Sequence, residues 1–364
     1  MKFVYNSRYF PKNQELLKTI DSAAKRLYYK LKSIDLNSLN ISEYVENYFS
    51  KLLKNLIGTL QKYSYLLSLC LVRNKKPLKD FIFVDYGGGS GIFSMLAKEI
   101  GIGTVIYNDI YEISCNDARM ISNSIGNTAE EYICGEIREV INYLNQNSIQ
   151  CDALGSFNVI EHIYDIDDFF HQLGFLSEHH LAVVLGTGAN PLNPILKRLI
   201  VKHHYNREFI KREKKFGHKE GDTLDAYTHI RTNMIKKFTQ NNMDSHDIDL
   251  LVRLTRGLKE PDILKCVKNY VNHENLPINS DLSFPSNTCD PYTGNWAERL
   301  MNPYKLLEKL KKYGFDPHLF PGIYEFDYRF ILKIIGRFAT IIMKMFPSYA
   351  INLALYYIIY GFKD

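Results

Sequence analysis

The sequence has few of the residues that build metal-binding or disulfide-bonded domains. Its 364 residues include six cysteines, and none of these is spaced as C-x-x-C or combined with histidine at zinc-site spacing. A structural zinc site needs ligands at such short spacings. The cysteines therefore indicate reduced, mostly buried thiols, and the sequence predicts no metal site.

Two further features are missing or weak. The first residues lack the apolar run of a secretory signal, because polar residues interrupt them early. The formal net charge is only +5, whereas a general nucleic-acid binder needs a stronger positive surface. The sequence therefore predicts a cytoplasmic protein without a nucleic-acid partner.

The most informative stretch is a glycine-rich turn between a predicted strand and a predicted helix. Apolar residues 81–84 form the strand, Asp85 ends it, and Gly87, Gly89 and Gly91 follow at alternate positions. Because glycine has no Cβ, such a turn lets the backbone approach a bound nucleotide. The turn indicates a nucleotide site, although a turn that only joins a strand to a helix would have the same pattern.

Two common nucleotide motifs do not match this turn. The dinucleotide fingerprint requires a small residue where Ile92 stands. A phosphate-binding P-loop requires Gly-Lys-Ser/Thr, which does not follow the turn. The turn therefore favours neither NAD nor a nucleoside triphosphate.

The D-x-G-x-G-x-G arrangement of Asp85, Gly87, Gly89 and Gly91 resembles motif I of the class I S-adenosylmethionine-dependent methyltransferases. The resemblance implies S-adenosylmethionine as the cofactor, with the acid suited to its charged amino acid end. It also implies an α/β, Rossmann-like fold. We expect a doubly wound, mostly parallel seven-stranded sheet with an antiparallel last strand, together with N-terminal helices and a helical insertion.

Further candidate cofactor residues follow the next two predicted strands. Asp109 ends the strand 104–109, where an acid in adenosine-binding folds accepts both ribose hydroxyls, although a lone Asp there also commonly caps a helix. The resemblance places an acid facing the adenine amino group after the third strand, and Glu136 takes that place where Asp is more usual. Without the resemblance, Glu136 would be a solvated acid at a helix start. Ile110 and Ile137 complete this part of the predicted site.

The segment 151–165, which contains the predicted fourth strand, is the second strong signal. It is similar to the Glu-His-containing segment of small-molecule methyltransferases such as those of ubiquinone and menaquinone biosynthesis. Ligands in open α/β sheets bind at the carboxyl ends of the strands. We therefore expect Ser156 to Asn158 beside the methionine part of the cofactor and His162 on the acceptor side. Histidine is a common general base, so His162 could take this role, but a structural histidine would give the same pattern.

The sequence predicts an insertion between the fifth strand and the last hairpin. Residues 190–300 separate these elements, and a loop of that length without its own structure would be unusual. We expect a methyltransferase core at 80–189 and 301–364 and an inserted substrate-binding cap at 190–300. The helical residues 1–79 would either form a lid over the cofactor or pack against the sheet. Ser42 is a candidate N-cap within them, and Asn295 is a candidate N-cap of the helix before the last hairpin.

The predicted cap begins with a basic cluster. Nine lysines or arginines stand against two glutamates between Lys197 and Lys219. This pattern is typical of a solvated helix face, but it also suits an acceptor with phosphate or carboxylate groups. Beyond the cluster, the polar segment 222–231 contains His229, which joins His162 as a candidate catalytic residue.

The tail carries two apolar stretches. Residues 345–362 contain no charge, but 355–360 are rich in β-formers and predict the final strand of the sheet. The preceding helix at 329–345 combines a narrow basic stripe with a wide apolar face. Such a helix can pack inside the protein or make a peripheral contact with an anionic membrane.

Together these features predict methyl transfer from S-adenosylmethionine to a small or lipid-linked, anionic acceptor, for example a sugar derivative. The fourth strand lacks the (Asn/Asp)-Pro-Pro-aromatic motif of enzymes that methylate nucleobase amino groups, so that subclass is excluded. Two alternatives stay open. One is a non-catalytic module that binds an adenosine cofactor, and the other is an aminopropyl-transferase-like enzyme of the same fold.

Overall fold

A computed structural model gives the fold of this chain. The structure describes residues 3, 13–213, 223–273, 284–322 and 349–364, together with single positions between 336 and 346. The chain divides into two compact units. The sheet unit comprises Met1–Ile160, Asp167–Gly188 and Pro303–Asp364, and the inserted unit comprises Glu161–Ile166 and Ala189–Asn302.

The described residues of the sheet unit form one seven-stranded sheet with the order β3-β2-β1-β4-β5-β7-β6. Its strands are β1 (Ile82–Tyr86), β2 (Thr104–Asp109), β3 (Glu131–Cys134), β4 (Ala153–Phe157), β5 (Leu181–Thr187), β6 (Asp316–Pro321) and β7 (Tyr357–Lys363). The first five strands pair in parallel, and β7 pairs antiparallel with both β5 and β6. The predicted fold, with its antiparallel last strand, is confirmed.

Helices precede and alternate with these strands. They are α1 (Gln14–Lys32), α2 (Glu43–Lys54), α3 (Leu56–Cys70), α4 (Ile92–Glu99), α5 (Glu112–Ser124), α6 (Ile137–Gln146), α7 (Ile166–Leu173) and, before β6, α12 (Pro303–Lys312). Because α4, α5 and α6 directly follow β1, β2 and β3, the carboxyl ends of these parallel strands carry the loops that can bind a ligand.

The N-terminal helices belong to the core of the sheet unit. Helix α1 packs against α3 and α4, and α3 packs against α4, β4 and β5. Leu60, Leu66 and Leu67 of α3 are fully buried in the same apolar cluster as Phe83 and Phe93. Burying one such leucine contributes roughly 1.5–3 kcal/mol. Of the two alternatives for residues 1–79, packing against the sheet therefore describes α3, and α1 packs on α3 and α4. The lid stays a prediction.

Helix α2 starts at the residue that the sequence predicts. The Ser42 hydroxyl oxygen accepts a hydrogen bond from the Val45 N–H at 3.2 Å, and the Ser42 N–H donates to Asp117 Oδ2 at 3.0 Å. Asp117 lies on α5, which follows the end of β2. The first bond caps the helix, and the second fixes its start close to the ligand-binding edge of the sheet.

The inserted unit has its own helical core. Its described helices are α8 (Pro194–Phe209), α9 (Tyr227–Phe238), α10 (Ser245–Leu254) and α11 (Glu260–Val271). Ile235, Leu251 and Ile263 are fully buried among these helices. The expected helical insertion is present, and its role in substrate binding stays a prediction.

Predictions for the C-terminal third have three outcomes. Strand β7 confirms the predicted final strand. Asn295, which the sequence favours as a helix cap, does not cap α12, because α12 begins at Pro303. Most of the helix predicted at 329–345, including every basic residue of its stripe, lies outside the described residues. None of the helices among the described residues has the length and apolar composition of a membrane-spanning segment.

Candidate functional site

The glycine turn after β1 has a backbone that requires glycine. Gly87, Gly89 and Gly91 have φ angles of 68°, 54° and 77°, in the left-handed region that is costly for residues with a Cβ. The N–H of Gly88 donates to the Asn108 carbonyl at 2.9 Å. This hydrogen bond holds the turn against the end of β2.

The space around the turn differs between its two sides. A Cβ on Gly87 would lie 2.3 Å from Cγ2 of Val159, so the chain is packed too closely there for any side chain. A Cβ on Gly89 would lie 3.7 Å from Cε1 of Tyr48 on α2, which is an ordinary contact distance. The turn is therefore fixed on one side at Gly87, and a ring from α2 lies near it at Gly89.

Asp85 stabilises the start of α4. Its carboxylate is 2% exposed, and Oδ2 accepts hydrogen bonds from the N–H and the hydroxyl of Ser94 at 2.9 and 2.7 Å. Burial raises the pKa of Asp85 to about 7, and the bonds from Ser94 only partly oppose this effect. Contact between Asp85 and the charged end of a cofactor stays a prediction.

The raised pKa of Asp85 predicts a pH-dependent stability of the sheet unit. A carboxyl group with a pKa of about 7 in the folded chain and about 3.9 in the unfolded chain binds more protons when folded. Its contribution to stability is complete below the unfolded pKa and is lost as the pH rises through the folded pKa. We expect wild type to lose about 2 kcal/mol of unfolding free energy from this group between pH 5 and pH 7.

Urea unfolding of the Asp85→Asn variant at several pH values measures this effect. The variant should show a flatter decline than wild type, because asparagine does not titrate. The exposed Asp80 provides a matched control, and Asp80→Asn should keep the wild-type slope. A wild-type slope in Asp85→Asn would show that Asp85 is ionised in the fold throughout this range.

Asp109 lies at the end of β2 beside the glycine turn. It is 5% exposed, Oδ2 accepts from the Gly89 N–H at 3.1 Å, and Oδ1 accepts from the Tyr111 N–H at 3.0 Å. An ionised carboxylate has about four acceptor positions. Asp109 can therefore hold the turn and still accept hydrogen bonds from the two hydroxyls of a ribose.

Tyr48 is a site residue that the sequence does not reveal. Besides its position near Gly89, the pKa of its hydroxyl is raised, first by burial of that group and then by the charge of Asp109. The Tyr48 ring is nonetheless 41% exposed. The sequence gives one indirect indication of this role. Tyr48 lies on α2, within the residues for which the sequence leaves a lid over the cofactor as one of two alternatives.

The residues predicted for the adenine side differ in exposure. Ile110 is 56% exposed and Ile137 is buried, while Glu136 is exposed at the start of α6. The pKa of Tyr86, at the end of β1, is raised mainly by burial and further by the charges of Glu136 and Asp109. Glu136 and Asp109 are therefore both close enough to Tyr86 to act on it electrostatically. An exposed apolar side chain beside Asp109 suits one face of an adenine ring.

At the end of β4, Asn158 connects two strands. Its φ is 57°, its Oδ1 accepts from the Gly188 N–H at 2.9 Å, and its own N–H donates to the Gly186 carbonyl at 2.9 Å. The neighbouring Ser156 is 1% exposed, and its hydroxyl has no hydrogen-bond partner among the described residues. Buried polar groups normally have partners, so a ligand or water is expected at this hydroxyl.

His162 lies in the inserted unit, with its ring fixed by the backbone. Nδ1 is 2.8 Å from the Trp296 carbonyl oxygen, and Nε2 is 3.8 Å from Oε1 of Glu298. Because a carbonyl oxygen can only accept, Nδ1 carries the proton of the neutral ring. The basic nitrogen of His162 is therefore Nε2.

His229 is placed differently, on the surface of α9. Its Nδ1 is 2.6 Å from Oδ2 of Asp225, and its Nε2 is 3.2 Å from Nδ2 of Asn233. The hydrogen bond from His229 lowers the pKa of Asp225. No hydrogen bond or ion pair among the described residues joins His229 to His162. The catalytic role of His229 therefore stays a prediction without a supporting contact.

The basic cluster is only partly described. Lys197, Arg198 and Lys202 are exposed on α8, whereas residues 214–222 lie outside the described part of the chain. Ile195, on the same helix, is 71% exposed. The surface of α8 is therefore basic and apolar at once.

Comparison with known proteins gives structural matches alone. No protein-family model and no curated protein matches the chain. A methyltransferase structure from Mesorhizobium loti is 13% identical, covers 82% of this chain and 100% of its own, and has a TM-score of 0.36. The ribosomal protein L11 methylase of Lactobacillus delbrueckii is 17% identical over 43% of this chain and 74% of its own, with a TM-score of 0.29. The magnesium protoporphyrin IX methyltransferase of Synechocystis is 15% identical over 37% and 62%, also with a TM-score of 0.29. Function must therefore be inferred from the residues of this chain.

Proposed function

We propose that this protein is an S-adenosylmethionine-dependent methyltransferase. The observation that carries the proposal is the left-handed glycine turn held directly against the Asp109 carboxylate, with Gly89 donating to Asp109 at 3.1 Å. The turn has no phosphate-binding lysine, and the carboxylate beside it can bind a ribose. Together they suit an adenosine ligand that has no phosphate. When bound, S-adenosylmethionine supplies an activated methyl group on its sulfonium sulfur.

The other residues of the sheet unit fit the parts of this ligand. The exposed Ile110 offers an apolar face for the adenine, and Glu136 offers an acceptor for its amino group. The buried hydroxyl of Ser156 and the adjacent Asn158 lie at the carboxyl end of β4, where we place the methionine part. Tyr48 would close over the turn from α2. Methyl transfer from a good leaving group depends mainly on such positioning.

On the acceptor side, we assign the proton-accepting atom to Nε2 of His162. The Trp296 carbonyl holds the proton on Nδ1, so Nε2 can take the proton of an acceptor hydroxyl. The exposed Lys197, Arg198 and Lys202 of α8 would attract an anionic acceptor by their charge. These charges support an anionic acceptor, which we propose to be small or lipid-linked.

Calorimetric titration of the purified chain tests the proposal. We expect binding of S-adenosylmethionine and of its demethylated product, and weak or no binding of NAD. Tight NAD binding without S-adenosylmethionine binding would overturn it. A second assay adds cofactor labelled in the methyl group to a crude extract, and incorporation of the label distinguishes an enzyme from a non-catalytic module. A third assay uses decarboxylated S-adenosylmethionine as the donor and distinguishes methyl transfer from aminopropyl transfer.

A further inference from the structure

The inserted unit contains a group of metal-binding side chains from two distant parts of the sequence. Glu161, His162 and Glu298 each offer one ligand atom, and these atoms all lie within 4.8 Å of one another. Imidazole and carboxylate groups are common ligands of divalent first-row metals. These three side chains therefore form a candidate cation site. The sequence does not reveal it, because Glu298 is far along the chain from Glu161 and His162.

The distance between two of these side chains fits a shared ion better than a direct hydrogen bond. Nε2 of His162 and Oε1 of Glu298 are 3.8 Å apart, beyond the usual hydrogen-bond range. Two ligand atoms that are each about 2.1 Å from one metal ion lie roughly 3–4 Å apart. The observed spacing therefore leaves room for an ion between the two atoms.

His162 already has the partner that a metal-binding histidine needs. Its Nδ1 is 2.8 Å from the Trp296 carbonyl oxygen, and metal-binding histidines almost always donate their second N–H to such an acceptor. This hydrogen bond fixes the ring orientation and leaves the lone pair of Nε2 directed away from the carbonyl. The side chain is therefore in the protonation state that binds a metal.

The backbone around Glu298 is held in an uncommon conformation. Glu298 has a φ of 59°, and its carbonyl oxygen is 2.9 Å from Nε2 of His204. The following N–H, of Arg299, donates to the carbonyl of Glu161 at 3.0 Å. A left-handed non-glycine residue persists only where surrounding contacts enforce it. These contacts fix the segments that carry the three side chains relative to each other within the inserted unit.

We propose that Glu161, His162 and Glu298 bind one divalent cation. The remaining coordination positions would be filled by water or by an oxygen of the methyl acceptor. This inference rests on the proposed function, which supplies the methyl acceptor. With the ion bound, Nε2 would be a ligand instead of a base. The ion would lower the pKa of a coordinated acceptor hydroxyl, and the proton of that hydroxyl would pass to solvent water.

The test is titration of the full-length chain with Mn²⁺ alone, followed by electron paramagnetic resonance of the free ion. We expect one Mn²⁺ per wild-type chain and at least about tenfold weaker binding by Glu298→Gln. The Glu298 side chain is 40% exposed, so glutamine should not disturb folding. Glu308 on α12 is an exposed glutamate outside the cluster, and Glu308→Gln should bind like wild type.

A second variant keeps the test decisive if Glu298→Gln folds poorly. His162→Gln must then show the same loss of Mn²⁺ binding, with an unchanged unfolding curve. Equal Mn²⁺ binding by wild type and both variants, or no binding by wild type at millimolar Mn²⁺, would overturn the site. Calorimetry with S-adenosylmethionine in the presence of a chelator is measured in parallel. Retained cofactor binding there shows that the proposed function stands even if the cation site does not.

Discussion

Replacing Arg231 with methionine is expected to lower the free energy of unfolding of the inserted unit by about 3–5 kcal/mol. Arg231 and Glu208 are 0% and 2% exposed, and Nη2 of the arginine donates to Oε1 of the glutamate. The Thr288 hydroxyl donates to the other carboxylate oxygen at 2.7 Å. Removing the arginine leaves a buried carboxylate without its main countercharge, which costs more than the lost attraction alone.

The single tryptophan, Trp296, lies in the inserted unit, so its fluorescence during urea unfolding reports on this unit. The exposed Arg253 of α10 is the matched control, and Arg253→Met should change stability by no more than about 0.5 kcal/mol. The double variant Glu208→Met, Arg231→Met should recover part of the loss, because the buried carboxylate is removed together with Arg231, and among the described residues only Arg256, 4.0 Å from Glu208 and 24% exposed, loses a countercharge. Equal unfolding midpoints for Arg231→Met and Arg253→Met would contradict a stabilising role of the pair.

The parts of this molecule that the sequence predicts correctly are those with local causes. The strand ending at Asp109 and the left-handed turn from Gly87 to Gly91 depend on residues within a few positions of each other. The same holds for the Ser42 cap, where a hydroxyl bonds to the N–H three residues later. Apolar runs, glycines and caps act on their own neighbourhood, so a single sequence is sufficient to predict them.

The parts that the sequence does not predict depend on contacts between distant residues. Tyr48 reaches the glycine turn because α2 is tied to α5, and the cation site joins Glu161 to Glu298. The prediction that Asn295 caps a helix is wrong, because Asn295 closes a turn, and its carbonyl oxygen accepts from the Asp290 N–H at 2.9 Å. The side chain that organises this turn is Asp290, whose Oδ1 accepts from the N–H groups of Tyr292 and Thr293 at 2.8 and 3.2 Å. Sequence spacing does not distinguish a turn that starts a helix from one that does not.

The second large effect is expected for cofactor binding. The Asp109→Ala variant should bind S-adenosylmethionine more weakly by roughly 1.5–3 kcal/mol, the usual value of a hydrogen bond to a charged group, which corresponds to about 10–150-fold in dissociation constant. Asp109 also accepts from the Gly89 and Tyr111 N–H groups, so alanine additionally loosens the turn. Asp109→Asn separates the two effects, because its carbonyl oxygen can still accept one of these bonds. Isothermal calorimetry with S-adenosylmethionine and its demethylated product measures all variants.

A matched ligand pair shows whether the loss comes from the ribose itself. The 2′,3′-dideoxy analogue of the demethylated product has no ribose hydroxyls to donate at these positions, so Asp109→Ala should weaken its binding much less than it weakens binding of the natural ligand. Asp80→Asn, an exposed acid of the same unit, should bind both ligands as wild type does. If Asp109→Ala weakens the dideoxy analogue as much as the natural ligand, Asp109 acts only by holding the glycine turn. Asp109 is buried and accepts from the turn at 3.1 Å, so its removal must weaken any ligand that binds at this turn. If neither ligand is affected, the adenosine therefore binds elsewhere.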